Sequence, residues 1–185
     1  MGMSAQDKML NVASRLGLTS LKDMQGTTRM VYDSQTTAAL THTFFKGAAQ
    51  RAFPLSNVGA NGNQFQVNEA LLVEKIGFFI PDATGVNYTG LAPTFTSVLF
   101  DLVIGNKRVL KDVSVEFGAQ QAFYNDGTVG SSVIDLEGVG ILIPPQIEYY
   151  VVAQAYNGFS RVGESIRLGC YLFGTGALLN FNTTI

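Results

Sequence analysis

The chain has 185 residues, a length that favours one domain with a substantial apolar core. Apolar residues make up 46% of it, which is ordinary, but charged residues make up only 14%, well below the usual share of about 25%. This scarcity of charge, with 20 glycines and 13 phenylalanines, is typical of short strands joined by tight turns and of surfaces covered by neighbouring subunits. The single cysteine, Cys170, excludes an intrachain disulfide, and its apolar surroundings predict a small buried hydrophobe.

The charge is unevenly distributed along the chain. Residues 1–51 hold six basic and three acidic residues, a net charge of +3, and residues 52–185 hold six basic and eleven acidic ones, a net charge of −5. A basic N-terminal part can meet nucleic acid or the acidic part of a neighbouring copy. Six scattered cations are far from a polybasic tail, so the pattern favours the neighbour over nucleic acid.

Targeting signals are missing from the sequence as it stands. The N-terminus lacks the continuous apolar stretch of a signal peptide, and Gln6 stands where a myristoylation motif needs Ser or Thr. No stretch reaches the roughly 18 apolar residues of a spanning helix. We therefore expect a soluble chain without a transmembrane segment.

Residues 3–17 predict a short amphipathic helix. Apolar residues including Met9, Val12 and Leu16 recur at three- and four-residue spacing, Ser4 can cap the start, and Gly17 can end it. A helix this short is marginal by itself, so its apolar stripe needs a surface to lie on. That surface is either the body of the same chain or an adjacent subunit, and the sequence leaves both open.

Residues 18–68 show no persistent period. Thr pairs alternate with isolated apolar residues, and a Gly- and Asn-rich stretch follows. So long a connection predicts either a segment that is disordered when alone or an extended arm that orders by wrapping a partner. The aromatic residues Tyr32, Phe44, Phe45 and Phe53 are the predicted anchors of this arm, together with helix residues Met9, Val12 and Leu16; intrachain packing is the alternative for each, and is slightly favoured for Phe53.

The remainder predicts a β-rich body, which divides the chain into an N-terminal helix and arm over 1–64 and a β-sandwich body over 65–185. The hairpin is the firmest local feature: residues 98–104 alternate at period two, Gly105-Asn106-Lys107 turns, and residues 109–117 return. Six to eight strands at short spacing, with no helix between them, predict a single all-β antiparallel sandwich or jelly-roll-like domain. The other predicted strands cover 70–80, 133–143, 147–156, 166–173 and 177–185, with a short strand allowed at the edges of the 118–132 loop.

Catalytic and metal-binding chemistry has little to stand on in this sequence. His42 is the only histidine, whereas a zinc site needs several His or Cys ligands and a Ser-His-Asp triad would depend on it alone. We expect His42 to be a surface or interface residue. No cofactor motif, metal site or catalytic residue is therefore predicted, and the chain is expected not to be an enzyme.

The remaining polar clusters have structural explanations. Asp101 can face Lys111 and Asp112 on the return strand as a cross-strand charge pairing, and Asp135 shares a strand face with Glu137. The glycines of Gly174-Thr175-Gly176 lack the Gly-Lys-Ser/Thr of a phosphate loop and predict bulges or close backbone approaches. The basic cluster of Lys107, Arg108 and Lys111 predicts a solvated turn.

Two stretches of the body, Val139–Tyr149 and Gly174–Asn180, have the strand, turn and strand character of virion proteins. With the N-terminal helix, the arm and the charge-poor body, the whole layout resembles bacteriophage and other viral capsid proteins of the β-sandwich or jelly-roll type. The resemblance implies a virion structural subunit made in the host cytoplasm. Its partners would be copies of itself and other virion proteins, its arm would reach across neighbours, and it would carry no catalytic residues.

The rival interpretation is a carbohydrate-binding or adhesive β-sandwich, for instance on a phage fibre. It requires exposed aromatic residues on a concave face, whereas the chain has no Trp. The tyrosines available for such a face are Tyr88, Tyr124, Tyr149, Tyr150 and Tyr156.

Overall fold

The computed structural model describes residues 3–22, 24–37, 41–47, 55–58, 63–79, 98–114, 122–123, 130–136, 140–155 and 166–179. Within these residues the chain forms one helix and ten strands. The helix α1 is Ala5–Arg15, and the strands are β1 Met24–Thr37, β2 Thr41–Phe44, β3 Glu69–Phe79, β4 Val98–Ile104, β5 Lys107–Ser114, β6 Ala122–Phe123, β7 Gly130–Asp135, β8 Ile141–Ile143, β9 Tyr149–Ala155 and β10 Ile166–Leu179.

The strands form two antiparallel sheets. The first has the order β1-β10-β3-β7-β6, and β8 also pairs with β3, beyond the end of β7. The second has the order β2-β9-β4-β5. Every strand pair described is antiparallel. The predicted all-β class is therefore confirmed.

The main core lies between the two sheets. The first sheet contributes side chains such as Val31, Ile76 and Leu172, and the second contributes Phe100 and Val151. Phe78 and Phe100 meet across this layer with ring centroids 5.2 Å apart. Because each strand presents alternate residues to this layer, the face of the first sheet that points away from the core, here called the outer face, carries the intervening residues.

Helix α1 lies on the outer face of the first sheet. Its start has a capping box, in which the Asp7 N–H donates to the Ser4 hydroxyl at 3.2 Å and the Ser4 N–H donates to the Asp7 carboxylate at 3.3 Å. Val12 is fully buried in a second apolar cluster with Ala70, Leu72 and Ala177. The predicted helix is confirmed, and in this structure its stripe packs on its own body.

The prediction of irregular structure over residues 18–68 is wrong for two segments, which are regular strands, β1 and β2. The 14-residue strand β1 pairs along its whole length with β10, and β2 pairs with β9. The sequence pattern hid β1 because its Thr, Gln and Ser residues are polar on both faces, although Val31 and Asp33 point into the core. Two strands from the N-terminal side of the predicted boundary at residue 64 thus belong to the sheets of the body.

Most body strands lie where the sequence predicts them. The β4–β5 hairpin is confirmed, with its turn at Gly105, whose φ of 61° suits glycine. The strand predicted over 133–143 is instead two strands, β7 and β8, which both pair with β3. Conversely, the strand predicted at 166–173 continues into the beginning of the one predicted at 177–185, and together they form β10, which passes through a register shift between Phe173 and Gly174. Residues 180–185 of the second predicted strand lie outside the described residues.

Candidate assembly surface

The helix residues predicted to anchor assembly face the body of their own chain. Val12 is buried, and Met9 and Leu16 are partly buried against the same cluster. Met9 occupies the space in front of Gly26, where an added Cβ would lie 2.8 Å from its sulfur. The Lys8 ammonium group reinforces this docking with an ion pair to Glu74 at 2.8 Å.

The predicted aromatic anchors divide into two groups. Phe44 and Phe45 are completely buried in the main core, Phe44 against Phe78 and Phe45 against Tyr149. Tyr32 lies on β1 and is only half-buried. Phe53 lies outside the described residues. A role of these residues in assembly stays a prediction, but the structure gives Phe44 and Phe45 an intrachain location.

A buried polar cluster connects β1 to the segments that follow it. Asp33 is fully buried, and its carboxylate accepts the N–H of Phe45 at 2.7 Å, which holds Phe45 at a φ of 71°. The Ser34 hydroxyl donates to the Leu55 carbonyl at 2.9 Å, and the Ser56 hydroxyl donates to the Tyr32 carbonyl at 3.1 Å. These bonds are structural, because each satisfies a backbone group or a buried side chain.

His42 differs from its predicted location. It is only 2% exposed on β2 and stacks on Phe44 with ring centroids 5.8 Å apart. Alternation along this short strand turns both rings inward, which a run of four residues with two threonines does not reveal. Burial lowers the pKa of His42 from 6.5 to about 4, so its imidazole is neutral at pH 7.

Cys170 is fully buried, as predicted from its apolar surroundings. Burial raises the pKa of its thiol well above the ordinary value, and the nearby Asp33 carboxylate raises it further. The thiol therefore stays protonated at neutral pH, and only the thiolate is strongly nucleophilic.

The carboxylates of the hairpin and of β7 serve ion pairs and backbone bonds. Asp101 accepts the Asp112 N–H at 2.8 Å and pairs with Arg108 at 3.2 Å, so its cationic partner is Arg108 and not the predicted Lys111. Asp135 pairs with Lys75 at 3.3 Å. Within the described ranges, no group of three or more His, Cys, Asp or Glu is arranged to hold a metal ion.

The Gly174-Thr175-Gly176 stretch is a close backbone approach, as its glycines predict. The register between β10 and β3 shifts at Gly174, and a Cβ there would overlap the Leu72 carbonyl oxygen. The Thr175 hydroxyl donates to Glu74 at 2.6 Å.

The tyrosines offered for a carbohydrate face do not form one among the described residues. Tyr149 is only 1% exposed and stacks on Phe65, with ring centroids 5.2 Å apart. Tyr150 has the Lys46 ammonium group 5.4 Å from its ring centroid. Tyr88, Tyr124 and Tyr156 lie outside the described residues.

The structure instead brings together a set of apolar side chains that the sequence analysis missed. Met30 is paired with Phe173, and Tyr32 with Tyr171, between β1 and β10. Their neighbours Val31 and Leu172 point into the core, so these four lie on the outer face, beside the part that α1 covers. We call Met30, Tyr32, Tyr171 and Phe173 the aromatic face. Met30 is 46% exposed and the other three are half-buried.

A signal for the aromatic face was present in the sequence. Residues 170–173, Cys-Tyr-Leu-Phe, are apolar at consecutive positions, and a strand apolar on both faces is a strand that needs cover on both faces. The core covers Cys170 and Leu172. The Tyr171 ring covers Gly77 of β3, where a Cβ would overlap it, and Tyr171 itself is half-buried.

In the part of the chain that the structure describes, no helix is long and apolar enough to cross a membrane. No protein-family model matches the chain, and no curated protein matches it as a relative.

Proposed function

We propose that this chain is a virion structural protein, a capsid or capsid-associated subunit, that self-assembles through its β-sandwich body and its N-terminal part. The aromatic face is the observation that carries the proposal. Aromatic residues and Met are enriched in the buried centres of protein interfaces, and charged residues are depleted there. Met30, Tyr32, Tyr171 and Phe173 have that composition and lie together on one sheet face.

Two further features support assembly. Charged residues make up only 14% of the chain, which is little for a protein whose whole surface must stay in water. Large apolar side chains are also exposed away from the aromatic face. They include Met3, Leu10 and Leu18 in the N-terminal part and Leu99, Val109 and Ile147 in the body.

The N-terminal part contributes to the proposed assembly in a different way from the predicted wrapping arm. Its apolar stripe packs on its own sheet, so it can offer a neighbour the exposed flank of α1, where Leu10 is 48% exposed, and the edge strand β1. In this proposal the N-terminal residues shape the subunit's contact surface while staying attached to their own body.

The test is the molar mass of the full-length protein in solution, measured by light scattering over a concentration series. We expect species larger than a monomer for the wild type. Met30→Lys should shift assembly to higher concentration because it places a charge in the aromatic face. The matched control is Val67→Lys, an equally drastic change at a residue that is 67% exposed and lies in the turn before β3.

Imaging then separates a shell subunit from other self-associating proteins. Closed particles or flat symmetric lattices in electron micrographs of the assembled fraction would support a virion role. A monomer at every concentration would overturn the proposal, and a glycan-binding screen would then test the carbohydrate-binding alternative.

A further inference from the structure

The strand β1 forms one edge of the first sheet, with β10 as its partner strand. The segment 55–58 covers the far half of this edge. The Tyr32 N–H donates to the Asn57 side-chain oxygen at 2.6 Å, the Asn57 N–H donates to the Tyr32 carbonyl at 3.2 Å, and the Ser34 N–H donates to the Leu55 carbonyl at 2.9 Å. The Asn57 amide also donates to the Met30 carbonyl at 2.8 Å.

These bonds fix the direction of every backbone group in the near half of β1. In an antiparallel strand the N–H and C=O of one residue point to the same side, and the sides alternate. The backbone groups of Tyr32 and Ser34 point away from β10. The backbone groups of the other even-numbered residues, Met24, Gly26 and Thr28, therefore point away from it as well. The Met24 N–H is satisfied by the Leu21 carbonyl at 3.1 Å.

A row of outward-pointing groups is left along this half of the edge. It consists of the N–H groups of Gly26, Thr28 and Met30 and the C=O groups of Met24, Gly26 and Thr28. Among the described residues, only the Thr27 hydroxyl forms a hydrogen bond with any of these groups, at 3.4 Å from the Thr28 carbonyl. A carbonyl has a second lone pair, so that contact leaves room for a strand.

Of the usual devices that prevent strand pairing, this edge carries only an inward-pointing charge, Arg29. Natural edge strands carry Lys, Pro or a bulge, whereas residues 24–30 read Met-Gln-Gly-Thr-Thr-Arg-Met and pair with β10 without a bulge. Their one charged residue, Arg29, points to the core-side face of the sheet. It pairs there with Glu69 at 3.1 Å and lies 4.6 Å from the Phe65 ring centroid.

We propose that the 24–30 edge binds the same edge of a second copy, so that the first sheets of two subunits join in one continuous sheet. The inference rests on the proposed self-assembly and names the surface that begins it. The partner is specified by the row of groups itself. In an antiparallel pair centred on Thr27, the three N–H donors of one copy face the three C=O acceptors of the other.

The side chains fit the same arrangement. On the core-side face Thr27 meets its own copy, and Arg29 lies opposite Gln25 of the second copy, so no like charges meet. On the outer face Met24 lies opposite Met30, and Gly26 opposite Thr28. Residues directly opposite each other in an antiparallel pair point to the same face of the sheet, so the aromatic faces of the two copies lie on the same side of the joined sheet. Met30 belongs to both the aromatic face and the 24–30 edge.

Helix α1 does not obstruct the pairing. Its buried residues pack on Ala177 of β10 and on Ala70 and Leu72 of β3, so the helix sits inward of β1. Three strand spacings of about 4.8 Å separate the two β10 strands across the junction, roughly 14 Å. Two helices with diameters of about 10–12 Å fit side by side at that separation.

The experiment combines light scattering with amide hydrogen exchange on the full-length chain. Thr28→Pro removes one outward N–H and puts a ring against the incoming strand, while an edge position tolerates proline within the subunit. Thr28→Val is the control, because it keeps the N–H and the strand propensity. We expect Thr28→Pro to weaken the first association step about tenfold or more and Thr28→Val to leave it unchanged.

Exchange gives a second readout that does not depend on a variant folding. The amides of Gly26, Thr28 and Met30 should exchange quickly in dilute wild-type protein and become protected as concentration rises. Protection of these amides in the monomer would mean that another segment of the same chain covers the edge, and the inference would fall. If the wild type assembles while these amides stay unprotected, the inference fails although the proposed function stands; a wild type that never assembles overturns both.

Discussion

Burial in the core determines the protonation state or hydrogen bonding of several polar residues, and close strand packing requires a glycine at one position. Three titratable residues are buried. Burial keeps His42 neutral and the Cys170 thiol protonated at neutral pH, and the Asp33 carboxylate accepts a backbone hydrogen bond from Phe45. Gly174 is required because β10 and β3 approach too closely there for a side chain. None of these roles is visible from residue type alone.

The pH dependence of stability tests the burial of His42. Its pKa is about 4 in the folded chain and 6.5 when unfolded, so the unfolded state binds more protons between these values and stability falls as pH falls. We expect a loss of about 2 kcal/mol between pH 7 and pH 5. Urea unfolding of the wild type and of His42→Gln, which cannot titrate, measures the difference; equal slopes in both would show that His42 is solvated.

Phe44→Ala tests whether this predicted anchor belongs to the subunit core. The side chain is completely buried and meets Phe78 edge to face at 6.2 Å. Its truncation should lower the free energy of unfolding by about 3–5 kcal/mol. Met30→Ala, at a residue 46% exposed, should change it by less than about 1 kcal/mol. Similar values for the two variants would contradict the burial of Phe44.

Gly174→Ala tests the close approach of β10 to β3. The new methyl group would overlap the Leu72 carbonyl oxygen, a backbone atom that cannot rotate away. We expect a destabilisation of about 1–3 kcal/mol in urea unfolding. Gly176→Ala is the matched control, since its Cβ would meet only side-chain atoms of Arg29 and Thr27, at 3.0 Å. Its cost should be smaller, and the reverse order would speak against this register.

At the scale of elements, the N-terminal strands belong to the sheets more firmly than the sequence indicates. The 14 residues of β1 pair with β10, and β2 brings Phe44 into the main core. Helix α1 is attached differently, because it covers the outer face of a sheet that is already formed. The helix and the strands therefore differ in how necessary they are for folding.

Two truncations test that difference. Removing residues 1–50 deletes β1, β2 and the buried Phe44 and Phe45, so we expect an unfolded product by circular dichroism. Removing residues 1–19 deletes only α1 and should leave a folded, less stable body whose uncovered Ala70, Leu72 and Ala177 lower its solubility. A folded product of the longer truncation would restore the interpretation of residues 1–50 as a separable arm.

For the whole molecule, the proposed assembly depends on apolar contacts and backbone pairing more than on charge. The aromatic face contains no charged residue, and Arg29 is engaged within its own subunit. The alternative is an attraction between the N-terminal part, at +3, and the rest of the chain, at −5. These two modes respond oppositely to salt, because exposed charges are screened within about 3 Å at 1 M ionic strength.

Light scattering in sodium chloride at about 0.1 M and about 1 M separates these modes. The Debye length is about 10 Å at the lower concentration and about 3 Å at the higher one. We expect assembly to persist or strengthen at the higher salt concentration, since apolar burial and backbone bonds are little screened. Dissociation at high salt would assign the contact to the basic N-terminal part and the acidic body instead.

The sequence by itself determined the all-β class, the capped helix, the β4–β5 hairpin and the burial of Cys170, because alternation, turn residues and caps are local signals. Only the tertiary structure decided that β1 is a strand, that Phe44 and His42 point inward, and that Asn57 binds the edge of β1 at Tyr32. The physical reason is that strand pairing joins residues far apart in the chain. Thr27 finds Gly176 as its partner, and no local pattern around residue 27 contains that information.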